Sequence, residues 1–295
     1  MELWLLFALG SALCAGLTTI LAKVGVRDVG SNLATAIRTM VVVVFTWIIV
    51  LATGSQQGIG DVDLVTWLLL IGSGLATGGA WLCRFKALKL GNVNKVTPIA
   101  KTSTLLTMIL AFIFLGEPLG AFTIIAMVMM GAGTWLMLEL KKSSGKPGKK
   151  EGRGWLVAAV LAAFFASMVA ILGSVGVAEM NANLWTATRT MVVALVSWFM
   201  VGLTREHKGM TKIKPKTWVF LVLSGLATGG SWIFFYHALK IGPASIVVPV
   251  DQLSILLTMA FARLFLKERF SKQSLIGLGL LTGGILLLGL QGTIG

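Results

Sequence analysis

The chain has 295 residues, 56% of them hydrophobic and only 12% charged, and its mean hydropathy is +0.90. Soluble domains carry about 25% charged residues, so half that share excludes a water-soluble globule and makes lipid the main solvent. The net charge of +14 does not point to nucleic acid, because the basic residues sit in short gaps between apolar runs, the pattern of loops beside anionic lipid.

In chain order, the first apolar run follows at once on Glu2-Leu3-Trp4 without a basic leader, and reads as a retained span rather than a cleaved signal. A span needs roughly 20 apolar residues to cross about 30 Å of hydrocarbon. Ten runs qualify: 3–22, 33–53, 65–85, 96–115, 120–139, 155–175, 184–203, 217–236, 246–266 and 273–290. They are long and lack alternation, so helices are expected rather than strands, and a helix satisfies its own backbone in lipid. The expected fold class is an all-α membrane protein. Glycines spaced four apart (Gly74/Gly78, Gly225/Gly229, Gly279/Gly283) mark places where helices approach closely. Cys14 and Cys83 both lie in apolar runs, where small buried side chains are expected rather than a disulfide.

The chain repeats itself. Ser-Gly-Leu-Ala-Thr-Gly-Gly stands at 73–79 and again at 224–230, an offset of 151 positions (224 − 73). The same offset pairs Asn32-Leu33 with Asn183-Leu184, Arg38-Thr39-Met40-Val41-Val42 with Arg189-Thr190-Met191-Val192-Val193, Pro98 with Pro249, and Glu117 with Glu268. Five spans per half is an odd number, so the second half enters the membrane in the opposite sense, giving two inverted repeats. The domains are then 1–140, a basic linker 141–153, and 154–295. Of the 25 Lys and Arg, all but Arg189 and Lys240 fall on one face of this arrangement. By the positive-inside rule that face is cytoplasmic and both termini are outside.

Ten spans in two halves, Phe114-Leu115-Gly116-Glu117-Pro118-Leu119 with its echo Phe265-Leu266-Lys267-Glu268-Arg269-Phe270, and Ala-Leu-Lys-x-Gly before the fourth and ninth spans together resemble the EamA family of the drug/metabolite transporter superfamily. The resemblance covers essentially the whole chain. It implies secondary transport of small metabolites by alternating access, with a cavity lined by the first, third and fourth spans of each half. Two departures stand out. Relatives often keep both termini in the cytoplasm, against the charge pattern here. The four-span members of the superfamily use a Glu in the first span, where this chain reads Leu13-Cys14-Ala15-Gly16-Leu17-Thr18.

A charge inside the membrane costs at least about 2.5–3.5 kcal/mol on insertion scales, so each one calls for a reason. Lys101 in the fourth span and Asp251 in the ninth are one step out of register across the repeat. Helical spacing puts Thr97, Lys101 and Thr104 on one face, and Asp251, Ser254 and Thr258 on another. Together with Gln252 these stripes are the expected substrate-binding residues. Lys101 would meet an anionic group, and Asp251 an amine or a coupling proton. A second repeated stripe, Thr77-Trp81-Phe85 and Thr228-Trp232-Tyr236, offers Trp81, Trp232 and Tyr236 as an aromatic cage or as plain packing. Pro98 and Pro249 each delete a helix bond, and serve either as packing kinks or as gating breaks beside the site. Arg38 and Arg189 read as interfacial anchors or as donors to a neighbouring carbonyl, and Glu117 and Glu268 as helix-start acids for the spans that follow them.

The sum is a secondary transporter of a small polar or amphipathic, amino-acid-like metabolite. The alternatives are a lipid or lipid-linked head-group flippase, a multidrug exporter or, further off, a membrane-embedded enzyme or a non-transporting subunit. The chain has two distant histidines, no HExxH and no GxxxxGK[ST] loop. No catalytic residue, metal or cofactor is therefore expected. The expected partners are a small-molecule substrate, a coupling proton or ion, and membrane lipid. Monomer and homodimer both stay open.

Overall fold

The computed structural model describes residues 2–25, 29–90, 96, 99, 102–137, 154–264 and 271–294. Among them are eleven α-helices: α1 (Leu3–Gly25), α2 (Ser31–Ala52), α3 (Leu64–Leu90), α4 (Ser103–Leu115), α5 (Ala121–Met137), α6 (Gly154–Ala178), α7 (Ala182–Thr204), α8 (Pro215–Ile241), α9 (Ala244–Asp251), α10 (Ser254–Leu264) and α11 (Lys272–Ile294). Eight stretches are long and apolar enough to cross a membrane, and α4 and α5 are shorter apolar helices. Many of their threonines cost little in lipid because the hydroxyl bonds the carbonyl one turn back. Thr39 donates to Thr35 O at 2.8 Å, Thr46 to Val42 O at 2.8 Å and Thr186 to Ala182 O at 2.7 Å.

The halves are upside down relative to each other. α2 and α7 hold the same place in the two repeats, yet they cross antiparallel. Asn32 Nδ2, at the start of α2, donates to Thr204 Oγ1 at the end of α7 (3.4 Å). Asn183 Nδ2, at the start of α7, donates to Thr53 Oγ1 just past the end of α2 (3.4 Å). The equivalent pair α5 and α11 does the same. Gly133 meets Gly277 and Leu281, while Gly284 meets Ala126 and Met130. The most extensive other contacts also cross between halves, with α1 along α8 and α3 along α6. Equivalent helices running in opposite directions place the symmetry axis in the membrane plane.

Glycine sets how close these helices come. A Cβ on Gly74 would lie 2.6 Å from Val192 Cγ1, and one on Gly225 2.7 Å from Val41 Cβ, so each Ser-Gly-Leu-Ala-Thr-Gly-Gly copy beds against the other half's second span. The Gly279/Gly283 expectation is corrected in part. Gly279 faces open space, and the tight crossing of α5 and α11 uses Gly277 and Gly284 instead.

The ninth span is broken. Pro249 lies inside α9 and has no N–H to give, so Ser245 O loses its helical donor. Past it the backbone tightens to three-residue bonds: Gln252 N to Pro249 O (2.9 Å), Leu253 N to Val250 O (3.0 Å) and Ile255 N to Gln252 O (3.0 Å). The α-helix resumes at Ser254. The break therefore falls three residues beyond the proline rather than at it. Pro98, Thr97, Lys101 and the linker 141–153 lie outside the described residues.

Candidate functional site

Two arginines, one per half, sit about 10 Å along their helices. Arg38 is seven residues into α2 and Arg189 seven into α7, at 1.5 Å rise per residue. Each points to the repeated serine–threonine pair on the third span of the opposite half, but Arg189 bonds both hydroxyls and Arg38 only the threonine.

Arg189 is 2% exposed. Its Nε donates to Ser73 Oγ (2.9 Å) and an Nη to Thr77 Oγ1 (2.6 Å). Its guanidinium carbon lies 5.4 Å from the centre of the Trp232 ring and 5.3 Å from that of Tyr236, within cation–π range. Tyr236 stands edge-on to Trp185 at 6.1 Å, and both rings are buried. They are seated in notches on α6, since a Cβ on Gly173 would lie 2.7 Å from Tyr236 Cε1 and one on Gly176 would overlap the Trp185 ring. Arginine, three aromatics and two glycines thus form a plug.

Arg38 is only half-buried. One Nη donates to Thr228 Oγ1 (3.0 Å), but Nε, though buried, has no partner. The surroundings are otherwise matched. Ser224 Oγ bonds Thr18 O (3.2 Å) just as Ser73 Oγ bonds Val169 O (3.3 Å), and Thr18 and Val169 are repeat equivalents. The difference is a cavity of about 230 Å³ lined by Asn32, Thr35, Arg38, Trp81, Ser197 and Met200. These residues belong to the ends of α2, α3 and α7 on one face of the bundle. Thr35 is half-buried in the cavity, while its repeat equivalent Thr186 is fully buried in the plug. No carboxylate among the described residues pairs with either guanidinium.

The interfacial-anchor reading fails for Arg189, which is buried and held from within by Ser73 and Thr77, whereas Arg38 is half-buried and bonds Thr228 beside the cavity. The signal was present in the sequence. The arginine and the hydroxyl pair recur with the same offset in both halves, which marks them as partners. Of the expected site residues, Trp81 lines the cavity and Trp232 and Tyr236 clasp Arg189. Asp251, Gln252, Ser254 and Thr104 are not among the lining residues. Asp251 Oδ1 accepts from Ser11 Oγ (2.6 Å), which also lies 3.2 Å from Ser231 Oγ. Gln252 occupies the helix break and Ser254 begins α10, while Thr104 is buried in the first turn of α4.

Two carboxylates tie the halves together at opposite faces. Glu206 Oε2 accepts from the backbone N–H of Asn32 and of Leu33 (3.0 Å each), and Oε1 from Asn32 Nδ2 (2.6 Å). A second half-protein thereby caps α2 beside the cavity. Glu117 accepts from the backbone N–H of Ala244 (2.7 Å) and of Ser245 (2.8 Å). It was expected to serve the span that follows it. It instead caps α9 across the repeat, because those orphan amides are the ones within reach. Glu268 lies outside the described residues.

Two inverted halves of apolar helices, with a polar cleft beside Arg38, fit a membrane transporter. The EamA-like transporter family model matches residues 2–139 and 153–290, and the chain belongs to that family. A Sinorhizobium protein named as an uncharacterized transporter is 40% identical over 136 residues, 46% of this chain and 96% of the relative, a length close to one repeat. A second uncharacterized transporter, from Archaeoglobus fulgidus, is 24% identical over 285 residues, 96% of this chain and 97% of that one. A solved crystal structure shares the fold with a TM-score of 0.78 at 18% identity, covering 98% of each chain.

Proposed function

We propose that this transporter moves a small polar, amino-acid-like metabolite by alternating access, and that the form described has its substrate cavity open on the Arg38 face. One observation carries the reading: the same residues, repeated at the same offset, are open at Arg38 and Thr35 but sealed at Arg189 and Thr186. Inverted repeats can exchange conformations, so the opposite state has Arg189 exposed and Arg38 clasped against Ser224, Thr228 and Trp81. The basic face is cytoplasmic in this reading, the termini are outside and the state is inward-open. The cavity is small against the 300–1,000 Å³ of drug-sized sites, which favours a metabolite over a drug. Lys101 and Asp251 remain proposed contacts deeper along the path, and the break after Pro249 a proposed hinge.

Counterflow in proteoliposomes tests the proposal. Vesicles loaded with unlabelled amino acids should accumulate trace radiolabelled amino acid, with no chemical conversion. Product formation would instead mark an enzyme. A second reading, a lipid head-group flippase, draws on an apolar crevice of about 490 Å³ lined by Leu256, Met259, Ala260, Arg263, Leu275 and Leu278. Movement of labelled lipid without amino-acid counterflow would favour it.

A further inference from the structure

We infer that the transported group is a carboxylate, and that Arg38 and Arg189 are its two successive half-sites, one serving each open state. This rests on the transporter reading and narrows its substrate class. A guanidinium offers five N–H donors in a fixed fork. Arg189 is satisfied with no acid nearby, by two hydroxyls and two aromatic faces. Arg38 has one hydroxyl, a buried Nε with no partner, and open space in front of it. Among the described residues that cation lacks an anion, and the cavity is where one fits. A planar carboxylate takes two parallel N–H bonds from such a fork. It also brings a single negative charge, which one guanidinium balances, whereas a phosphate brings about −1.5 to −2 near neutral pH. Asn32, Thr35 and Ser197 supply hydrogen-bonding partners for the rest of a small polar molecule, and the Trp81 face suits an amine.

When the bundle rocks, the cavity closes and Arg38 regains the contacts that Arg189 now has. Those hydroxyls and rings replace the carboxylate as partners, so release needs no second anion. On the other face Arg189 loses Trp232 and Tyr236 and becomes the free fork. The plug is thus the empty form of the site, with protein groups standing where the substrate's oxygens would be.

The test is melting of the purified full-length protein at fixed ionic strength with L-alanine, pyruvate, L-alaninamide or inorganic phosphate. L-alanine and pyruvate should raise Tm saturably, and L-alaninamide should not. Arg38→Gln should raise the half-saturating concentration at least tenfold, and Arg38→Lys, which keeps the charge and loses the fork, should fall between. No rise with either carboxylate on the wild-type protein, an equal rise with alaninamide, or a rise with phosphate alone would each overturn the inference. A wild-type response in Arg38→Gln would do the same. Thiol labelling of Thr35→Cys and Thr186→Cys, with Cys14 and Cys83 replaced by Ala, separates this from the parent reading. Exchange of labelling between the two positions without carboxylate binding sinks the carboxylate alone. Carboxylate binding without exchange sinks alternating access and leaves the Arg38 site standing.

Discussion

Substituting Gly173 by alanine should open the sealed face. The new Cβ would lie 2.7 Å from Tyr236 Cε1, where ordinary contacts begin at 3.4 Å, so the ring must retreat by at least about 0.7 Å (3.4 − 2.7). It has nowhere to go while the plug is shut, since Tyr236 is 2% exposed and bracketed by Trp185, Phe235 and the Arg189 guanidinium. Overpacking of this kind costs about 1–3 kcal/mol. In the state where Tyr236 leaves the notch the cost vanishes, so the substitution shifts the equilibrium instead of merely lowering stability. At about 2 kcal/mol a 99:1 preference for the sealed face becomes roughly 3:1. The assay is the labelling rate of Thr186→Cys by a membrane-impermeant maleimide, with Cys14 and Cys83 replaced by Ala. Gly173→Ala should speed it by roughly an order of magnitude or more, and slow the labelling of Thr35→Cys by only about a quarter, as that state falls from about 99% to about 75%. Gly202→Ala is the control, because nothing lies within 4 Å of a Cβ there. A lowered Tm with labelling unchanged at both positions would show that the notch serves packing alone and refute the gate.

Four other outcomes follow from the same geometry. Trp185→Ala removes one of the plug's two indole rings, and should raise Thr186→Cys labelling while costing about 3–5 kcal/mol of stability, read as a fall in Tm. Glu117→Ala should destabilise by about 1–2 kcal/mol by stripping the Ala244 and Ser245 amides of their acceptor, and Glu117→Gln should recover part of it in the same melting assay. Gly133→Val should prevent the close crossing of α5 and α11, because its Cβ would lie 2.5 Å from Gly277 O, a backbone atom that cannot swing aside; loss of folded protein in size-exclusion chromatography is the expected result. Asp63 accepts from the Thr66 N–H (3.0 Å) and is held below the usual carboxylate range chiefly by its bonds to Thr66. A depressed carboxylate stabilises the fold above its unfolded pKa, and that share is lost as pH falls through the lowered value. The group is fully exposed, so the effect is small. Asp63→Asn should flatten the acid side of the Tm–pH curve, and an unchanged slope would show that the cap contributes nothing.

The sequence carried the architecture because lipid enforces it. Helix number, the repeat and the upside-down relation follow from apolar length, the 151-residue offset and an odd span count, and the antiparallel crossing of α2 and α7 bears out the last of these. The aromatic stripe was legible for a similar reason, since its spacing of four residues puts Trp232 and Tyr236 on one helix face. What escaped were relations between helices. Arg189 looked like an anchor because its depth was visible and its partners, Ser73 and Thr77 from more than 100 positions away, were not. Glu117 was assigned to the nearest helix in sequence, whereas its amides belong to α9. Pro249 read equally as a packing kink or a gating break, and spacing alone did not show that the backbone leaves the α-helix a few residues beyond it.

Identical motifs cannot by themselves decide which face is open, so the asymmetry has to come from where the repeats differ. The most telling difference stands beside the arginines. Thr35-Ala36-Ile37-Arg38 and Thr186-Ala187-Thr188-Arg189 are near copies, but the residue before them is Ala34 in one half and Trp185 in the other. Trp185 fills the Gly176 notch and backs Tyr236 against Arg189. Ala34 has no ring with which to do the same for Arg38. In equal surroundings the half with the tryptophan gains the burial of a large ring when it closes, a few kcal/mol at most, and the half with the alanine does not. That is the scale needed to bias two otherwise equivalent conformations. It is also small enough for a bound carboxylate, or a change of side exposed to the gradient, to reverse.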